Sequence, residues 1–343
     1  MSERTVGVAE VEREGADGGE PVGGQAGVLA GRGLGWLLHQ YPLLILLALL
    51  VFASLTSDAF LTGRNLENLV LQTSVAGIVA LAQFIVVVTG GIDISVGSVL
   101  GLSCVLCAGL FSGSSVLVAV LVALAVGALL GAVNGTLIAF RGLEPFIVTL
   151  GMLALGRGLV YAYTEGVPVR PAAPAFTAVG AATFAGVPVL GWIWVLLAVG
   201  MAFLLRRTVF GRRVFAIGSR REAAQAAGIP VRGTLVTVYC LAGLLAGLGG
   251  FLLASRVGAA TPTAGMNFEL DAIAAVVIGG TRLRGGQGRV FGAVVGTVIF
   301  GVITNLLVLL NVSTFLQDAF RGALILIAVA LATLGRKQPR DAH

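Results

Sequence analysis

Charge is the scarcest commodity in this chain. Only 11% of its 343 residues are Asp, Glu, Lys or Arg, against about 25% in soluble domains. Lys337 is the sole lysine, and His39 and His343 are the only histidines. With 57% apolar residues and a mean hydropathy of +1.00, no water-soluble fold could hide so much apolar surface, whereas a bilayer can. Three cysteines, Cys104, Cys107 and Cys240, all lie in apolar stretches; with no second C-x-x-C pair or histidine cluster, redox and zinc chemistry carry little weight. The chain has no G-x-x-x-x-G-K-[ST] phosphate loop, no G-x-S-x-G elbow and no H-E-x-x-H pair. It therefore holds no ATP by such a loop, and a membrane hydrolase or protease is disfavoured.

What is there is length of apolar run. Breaks of charge, Gly and Pro divide the chain into about ten candidate spans, near 37–55, 66–89, 95–111, 116–140, 145–163, 189–205, 233–254, 269–280, 290–310 and 316–334. Most approach the roughly 20 residues that a bilayer requires. The fold class expected is all-α, a polytopic helical bundle. The first run begins only near Pro42, behind a Glu- and Gly-rich stretch, so no signal peptide is expected. A disordered tail over 1–35, a transmembrane domain over 36–335 and a short tail over 336–343 complete the layout.

The net charge of +6 does not point to nucleic acid, because the basic residues fall between the apolar runs. One set of loops holds Arg141, then Arg206, Arg207, Arg212, Arg213, Arg220, Arg221 and Arg232, then Arg282, Arg284 and Arg289, then Arg336, Lys337 and Arg340. The alternate set holds only Arg64, Arg170 and Arg256. The positive-inside rule puts both termini in the cytoplasm. Trp36, Tyr41, Tyr161, Tyr163, Trp192 and Trp194 stand at span ends, as an interfacial aromatic belt would. Glycines at four-residue spacing (Gly127, Gly131 and Gly135; Gly243 and Gly247; Gly292 and Gly296) allow close helix approach. Val87 to Gly91 echoes Val276 to Gly280, through duplication or by chance.

Two interruptions carry function. Thr89, Gly90, Gly91, Ile92, Asp93, Ile94, Ser95, Val96, Gly97 and Ser98 set two glycines, a carboxylate and two hydroxyls in an apolar region. Irregular backbone at membrane depth is tolerated only where protein buries it or it lines a watery cavity, so a broken or re-entrant helix beside a solute pathway is expected. Asp93 is open to two readings, capping the next helix or touching solute. Gln83, Asn134 and Thr149 are further pathway candidates; interhelical hydrogen bonding is their commoner role, as it is for Gln72, Arg157, Asn305 and Gln317. The second interruption is cytoplasmic. Ser219 with Glu222 reads as a capping box, and Gly228 with Pro230 as a stop, giving a helix of about two turns. So short a helix is marginal alone and must dock. It is either a connector on the protein's own helix ends or a docking element for a cytoplasmic partner, with Ala223, Ala224, Ala226 and Ala227 as its small face.

On these residues the chain resembles the permease family of bacterial ribose, xylose, arabinose and galactose-type ABC importers. The blocks that carry the likeness are Gly90 to Ser98, Pro145 to Gly151 with Arg157-Gly158, Ala216 to Gly218 through Ala223-Ala224 to Ala227-Gly228-Ile229, and Ala274 to Thr281. The likeness runs from about 40 to 337 and implies a vitamin B12-importer-like architecture in the bacterial cytoplasmic membrane. It also implies that this subunit pairs with a second permease chain, identical or paralogous, and that an extracytoplasmic sugar-binding protein feeds it. A separate ATPase would hold the ATP and Mg, leaving this chain no cofactor and no catalysis of its own. By the same likeness Ser219, Arg220, Arg221, Glu222, Ala223, Ala224, Ala227 and Gly228 form the coupling helix seated on that ATPase. Arg220 departs from the asparagine common there, and 311–315 lacks a proline common after the serine. An ion-coupled secondary transporter is the alternative, since broken helices and Asp93 would suit it too.

Overall fold

The computed structural model describes residues 41–334 except Ser112 and Ser114. The expected tails, Trp36 and the C-terminal basic cluster lie outside these residues. Every expected span is a helix: α1 Tyr41–Thr56, α2 Gly63–Val88, α3 Val96–Gly109, α4 Val116–Arg141, α5 Pro145–Thr164, α7 Val189–Arg207, α10 Val231–Val257, α11 Phe268–Ile278, α12 Val290–Leu309 and α13 Thr314–Leu334. Between them lie α6 Pro174–Ala181, a hairpin of β1 Thr183–Phe184 and β2 Val187–Pro188, and the pair α8 Val209–Ser219 and α9 Arg221–Ala226.

The helices are not ten equal spans. Six (α2, α4, α5, α7, α10 and α12) are long and apolar enough to cross a membrane. At 1.5 Å per residue, α3 reaches about 21 Å and α11 about 16 Å, well short of a hydrocarbon core of about 30 Å. Both are half-helices, and both adjoin a break.

Two helices form the centre. α10 packs on α4, α3 and α2, and α2 packs on α12, α11 and α7. The apolar core runs along them, through Val75, Ile78, Leu81, Phe84 and Ile85 of α2 and Val238, Ala242, Ala246 and Phe251 of α10. The expected glycine seams mark the closest crossings. β-Carbons at Gly127 or Gly131 of α4 would overlap the carbonyl oxygens of Gly243 and Tyr239 on α10, and one at Gly296 of α12 would overlap that of Ala275 on α11. Without a hydrophobic push in lipid, backbone-to-backbone dispersion of this kind holds the bundle together.

Polar side chains inside the bundle tie helices as expected. Asn65 and Asn305 exchange amide hydrogen bonds of 3.0 and 2.8 Å, and Arg157 donates to the Ala264 carbonyl. Ser255 seats α6 on α10, donating to Phe176 O at 2.6 Å and accepting from Gly180 N at 2.8 Å. The hairpin turns through Ala185 (φ +52°) and Gly186 (φ +76°), the left-handed pair that a two-residue turn needs. Trp192 lies half-exposed against it, its indole donating to Phe184 O at 3.1 Å. Trp194 departs from the belt expected of it. It is buried, with its ring filling the slot left by Gly77 on α2.

Candidate functional site: a broken helix and the junction at its foot

Helix α2 stops because Gly90 turns left-handed at φ +84°. The amides of Gly90 and Gly91 bond back to the carbonyls of Val87 (2.9 Å) and Val86 (3.3 Å), which satisfies the last turn. From Gly91 to Ser95 the backbone is irregular before α3 begins at Val96.

Inside that stretch the predicted polar residues converge. Asp93, 2% exposed, accepts from the Ser95 amide at 2.8 Å and from the Ser95 hydroxyl at 2.6 Å. Asn134 of α4 donates to the same hydroxyl oxygen at 3.0 Å. Ser98 donates back to Ser95 O at 2.9 Å. Thr149 of α5 is buried against the break, donating to Pro145 O at 2.9 Å and reaching Ile92 O at 3.4 Å. Thus Asp93, Ser95, Ser98, Asn134 and Thr149 form one buried cluster that pins the break to α4 and α5. Asp93 is not itself the helix cap: Ser95 occupies that position, and its own side chain makes no cap bond. The carboxylate instead closes a turn two residues earlier. Thr89 bonds its own helix, at Val86 O, 2.7 Å. Gln83 is wholly buried, and neither end of its amide has a partner among the described residues. Of the break itself, Thr89, Ile92 and Ile94 are part-exposed and Gly90 is exposed.

Sequence reasoning missed Tyr239. It is 1% exposed on α10, its hydroxyl would lie 2.5 Å from a β-carbon added at Gly91, and that hydroxyl has no partner among the described residues. Its signal was a tyrosine inside an apolar span, more than two turns from its end.

The second interruption differs from its sequence reading in one respect. Ser219 does not start a helix. It ends α8, whose first turn is capped by Thr208 accepting from Gly211 N at 3.3 Å. Arg220 is the extended residue before α9, and no capping box forms. The reason is tertiary: Ser219 lies against the Gly285–Gly286 turn, its hydroxyl 2.7 Å from where a β-carbon on Gly286 would stand, and helical backbone carries it there. The stop is as read. Gly228 adopts φ +76°, with Gly228 N bonded to Gln225 O and Ile229 N to Ala224 O, both at 3.0 Å. The small face is split. Ala224 is buried with Ala139, Ile217, Val231 and Leu235, while Glu222, Ala223, Ala226 and Ala227 are exposed. Ala224 therefore seats α9 on the bundle and has nothing to offer a partner.

Three remote segments meet at the foot of α2. Gly286 N donates to the Val88 carbonyl at 2.9 Å. A β-carbon at Gly218 would overlap that same carbonyl oxygen and stand 2.6 Å from Gly286 N. One at Gly285 would stand 2.6 Å from Gly90 N and 2.9 Å from Gly218 O. The surface helix α8, the broken end of α2 and the turn after α11 thus touch backbone to backbone, with no side chain between them to cushion relative movement.

A bundle with six helices of membrane-crossing length, and a break between α2 and α3 held by buried polar side chains, defines a multi-pass membrane protein. A family model described as "branched-chain amino acid transport system / permease component" matches residues 65–329. The ribose import permease protein RbsC of Bacillus subtilis is 45% identical over 293 residues, covering 84% of this chain and 91% of that protein. The D-allose transport system permease protein AlsC of Escherichia coli is 38% identical over 299 residues, covering 86% and 92%. The xylose transport system permease protein XylH of the same species is 36% identical over 349 residues, covering 83% and 88%. No solved structure matches the chain. This chain belongs to that family of transport-system permease components.

Proposed function

We propose that this chain is the membrane pathway of an ABC importer for a monosaccharide, working as one of two permease subunits. The observation that carries this reading is that relatives named for ribose, allose and xylose cover more than four-fifths of the chain at 36–45% identity. In the architecture expected, that of the vitamin B12 importer, both termini and the α8–α9 face are cytoplasmic. ATP and Mg reside on a separate ATPase, and an extracytoplasmic binding protein delivers the sugar.

The geometry suggests how this chain would couple the two. The exposed side of α9, with Arg221, Glu222, Ala223, Ala227 and Gly228, is the surface for the ATPase, while Ala224 anchors the helix below. A displacement of α9 passes to α8, and from Gly218 to Val88 and Gly286 with no slack between them. The break at Gly90 to Ser95 is tied to α4 through Asn134 and to α5 through Thr149, so a displacement at Val88 reaches those helices as well. Its part-exposed edge, Thr89, Gly90, Ile92 and Ile94, is the part available to a pathway; Asp93, Ser95, Ser98, Gln83, Asn134 and Thr149 shape it from behind. Nucleotide can bias such a two-state element only through differential affinity on the ATPase, so the contact chain must be stiff.

Uptake of labelled ribose, allose and xylose by cells carrying the chain with its ATPase and binding protein tests the reading. Uptake should fail without ATP and survive collapse of the proton gradient. The opposite pattern would favour an ion-coupled carrier, and transport of leucine in place of all three sugars would overturn the substrate class. Replacing Ala227 with Trp should abolish uptake while leaving the melting temperature of the permease unchanged, because that position is exposed. Ala224→Trp should lower the melting temperature instead.

A further inference from the structure

Beside α9 lies a cavity of about 610 Å³, walled by the last turn of α4, by α9 and by the first turn of α10. Arg141, Arg221 and Arg232 line it, with Phe140 and Gln225, and no acidic side chain does. Among the described residues the one ion pair is Arg321–Asp318, on α13. Three arginines thus line one cavity, and no carboxylate residue does.

Helix dipoles explain only one of them. Arg141 stands in the last turn of α4, where a cation is favoured. Arg232 lies in the first turn of α10, where the dipole disfavours a cation, and Arg221 opens α9, which at six residues is too short for a dipole to account for it. Arg232 is also held in place, its guanidinium 5.8 Å from the Phe140 ring centroid. From Phe140 at the cavity wall the chain continues along exposed apolar side chains: Phe140 is 56% exposed, Leu143 47% and Ile147 64%. A free anion needs the arginines alone. A phosphodiester carrying acyl chains uses both features.

We propose that this cavity binds the phosphate headgroup of an anionic phospholipid, with its chains along Phe140 and Leu143. Basic pockets between membrane helices at the interface suit such headgroups, and guanidinium forks match phosphate oxygens. The proposal requires that the chain lie in a membrane but not that α9 couple to an ATPase, so its test reads lipid binding and not transport.

The full chain, purified in neutral detergent, is titrated with phosphatidylglycerol or phosphatidylcholine and bound lipid is counted by native mass spectrometry. Phosphatidylglycerol should be retained preferentially. In the Arg221→Gln/Arg232→Gln double variant its binding should weaken roughly tenfold or more, and Arg221→Lys/Arg232→Lys, which keeps the charge and guards against misfolding, should recover most of it. Equal retention of the two lipids would overturn the proposal, as would undiminished phosphatidylglycerol binding by the Gln variant. Displacement of phosphatidylglycerol by millimolar inorganic phosphate would mean that the cavity serves a soluble anion and would equally overturn the lipid assignment.

Discussion

Helices α2 and α11 end in the same way and then diverge. Gly90 at φ +84° and Gly280 at φ +86° are the turning residues. Gly90 N bonds Val87 O and Gly280 N bonds Val277 O, both at 2.9 Å, while Gly91 N reaches Val86 O and Thr281 N reaches Val276 O. Beyond the two stops the chain differs in kind. After Gly90 come a carboxylate and hydroxyls that bond inward to one another and to α4. After Gly280 comes a closed basic turn, Arg282 N to Gln287 O at 3.1 Å and Gly285 N to Arg282 O at 3.0 Å, whose glycines press outward on α8 and Val88. The same backbone stop thus serves two purposes: one end is fixed to the bundle and the other to the surface helix. The two are joined through Val88 and Gly286.

The largest expected effect comes from prying that join apart. Gly218→Val would drive side-chain carbons into backbone atoms that cannot rotate away, so its cost should lie at the upper end of the roughly 1–3 kcal/mol typical of overpacking. Uptake should be lost, and in the assembled transporter ATP hydrolysis should become insensitive to sugar. Normal sugar-stimulated hydrolysis would mean that the junction transmits nothing.

Next in size is the inward-facing break. Asp93→Ala strips the buried Ser95 amide and hydroxyl of their acceptor, at about 1–3 kcal/mol for a group left unpaired, and should lower the melting temperature clearly. Asp93→Asn keeps an acceptor oxygen and separates the two readings of this residue. If Asp93 only shapes the turn, sugar uptake stays within a few-fold of the parent; a complete loss of uptake at unchanged stability would mean that its charge meets the solute.

The paired stops can be weighed directly. Alanine in the left-handed region costs about 1–2 kcal/mol, so Gly280→Ala and Gly90→Ala should both destabilise by that amount. At Gly90 the β-carbon would in addition stand 3.2 Å from Arg284 O, so that carbonyl must give way by a few tenths of an ångström. A melting temperature unchanged in either variant would mean that the left-handed turn there is not what ends the helix.

All ten apolar runs are helices within a few residues of the expected bounds, because charge, Gly and Pro mark helix ends locally; that α3 and α11 are too short to cross a bilayer depends on how they pack and was not legible. The break and the Gly228 stop were legible for a related reason: glycine at a positive φ is a local requirement. Features that depend on distant contacts were hidden. Ser219 and Glu222 have capping-box spacing, yet the Gly285–Gly286 turn holds Ser219 inside α8. The sequence echo of the two stops is one residue out of register; hydrogen bonding pairs Val86 with Val276 and Gly90 with Gly280, whereas the apolar letters match as well at the neighbouring offset. Nothing local distinguishes inward Ala224 from outward Ala223, or the core Trp194 from Trp192.

The smallest effect is expected at Tyr239, a buried polar group beside the first stop with no hydrogen-bond partner among the described residues. Its ring fills core next to Gly91, and Tyr239→Phe keeps the ring, so the stability of the isolated permease should change by less than about 1 kcal/mol, the usual net worth of a hydrogen bond. A buried hydroxyl without a partner among the described residues gains most from a second conformation that supplies one. If rocking of α2 brings it to Asp93 or to solute, Tyr239→Phe should slow uptake several-fold at unchanged melting temperature, and the loss should persist at saturating sugar. Parent-like uptake would leave Tyr239 as packing and return the whole of the pathway's polar character to the residues of the break.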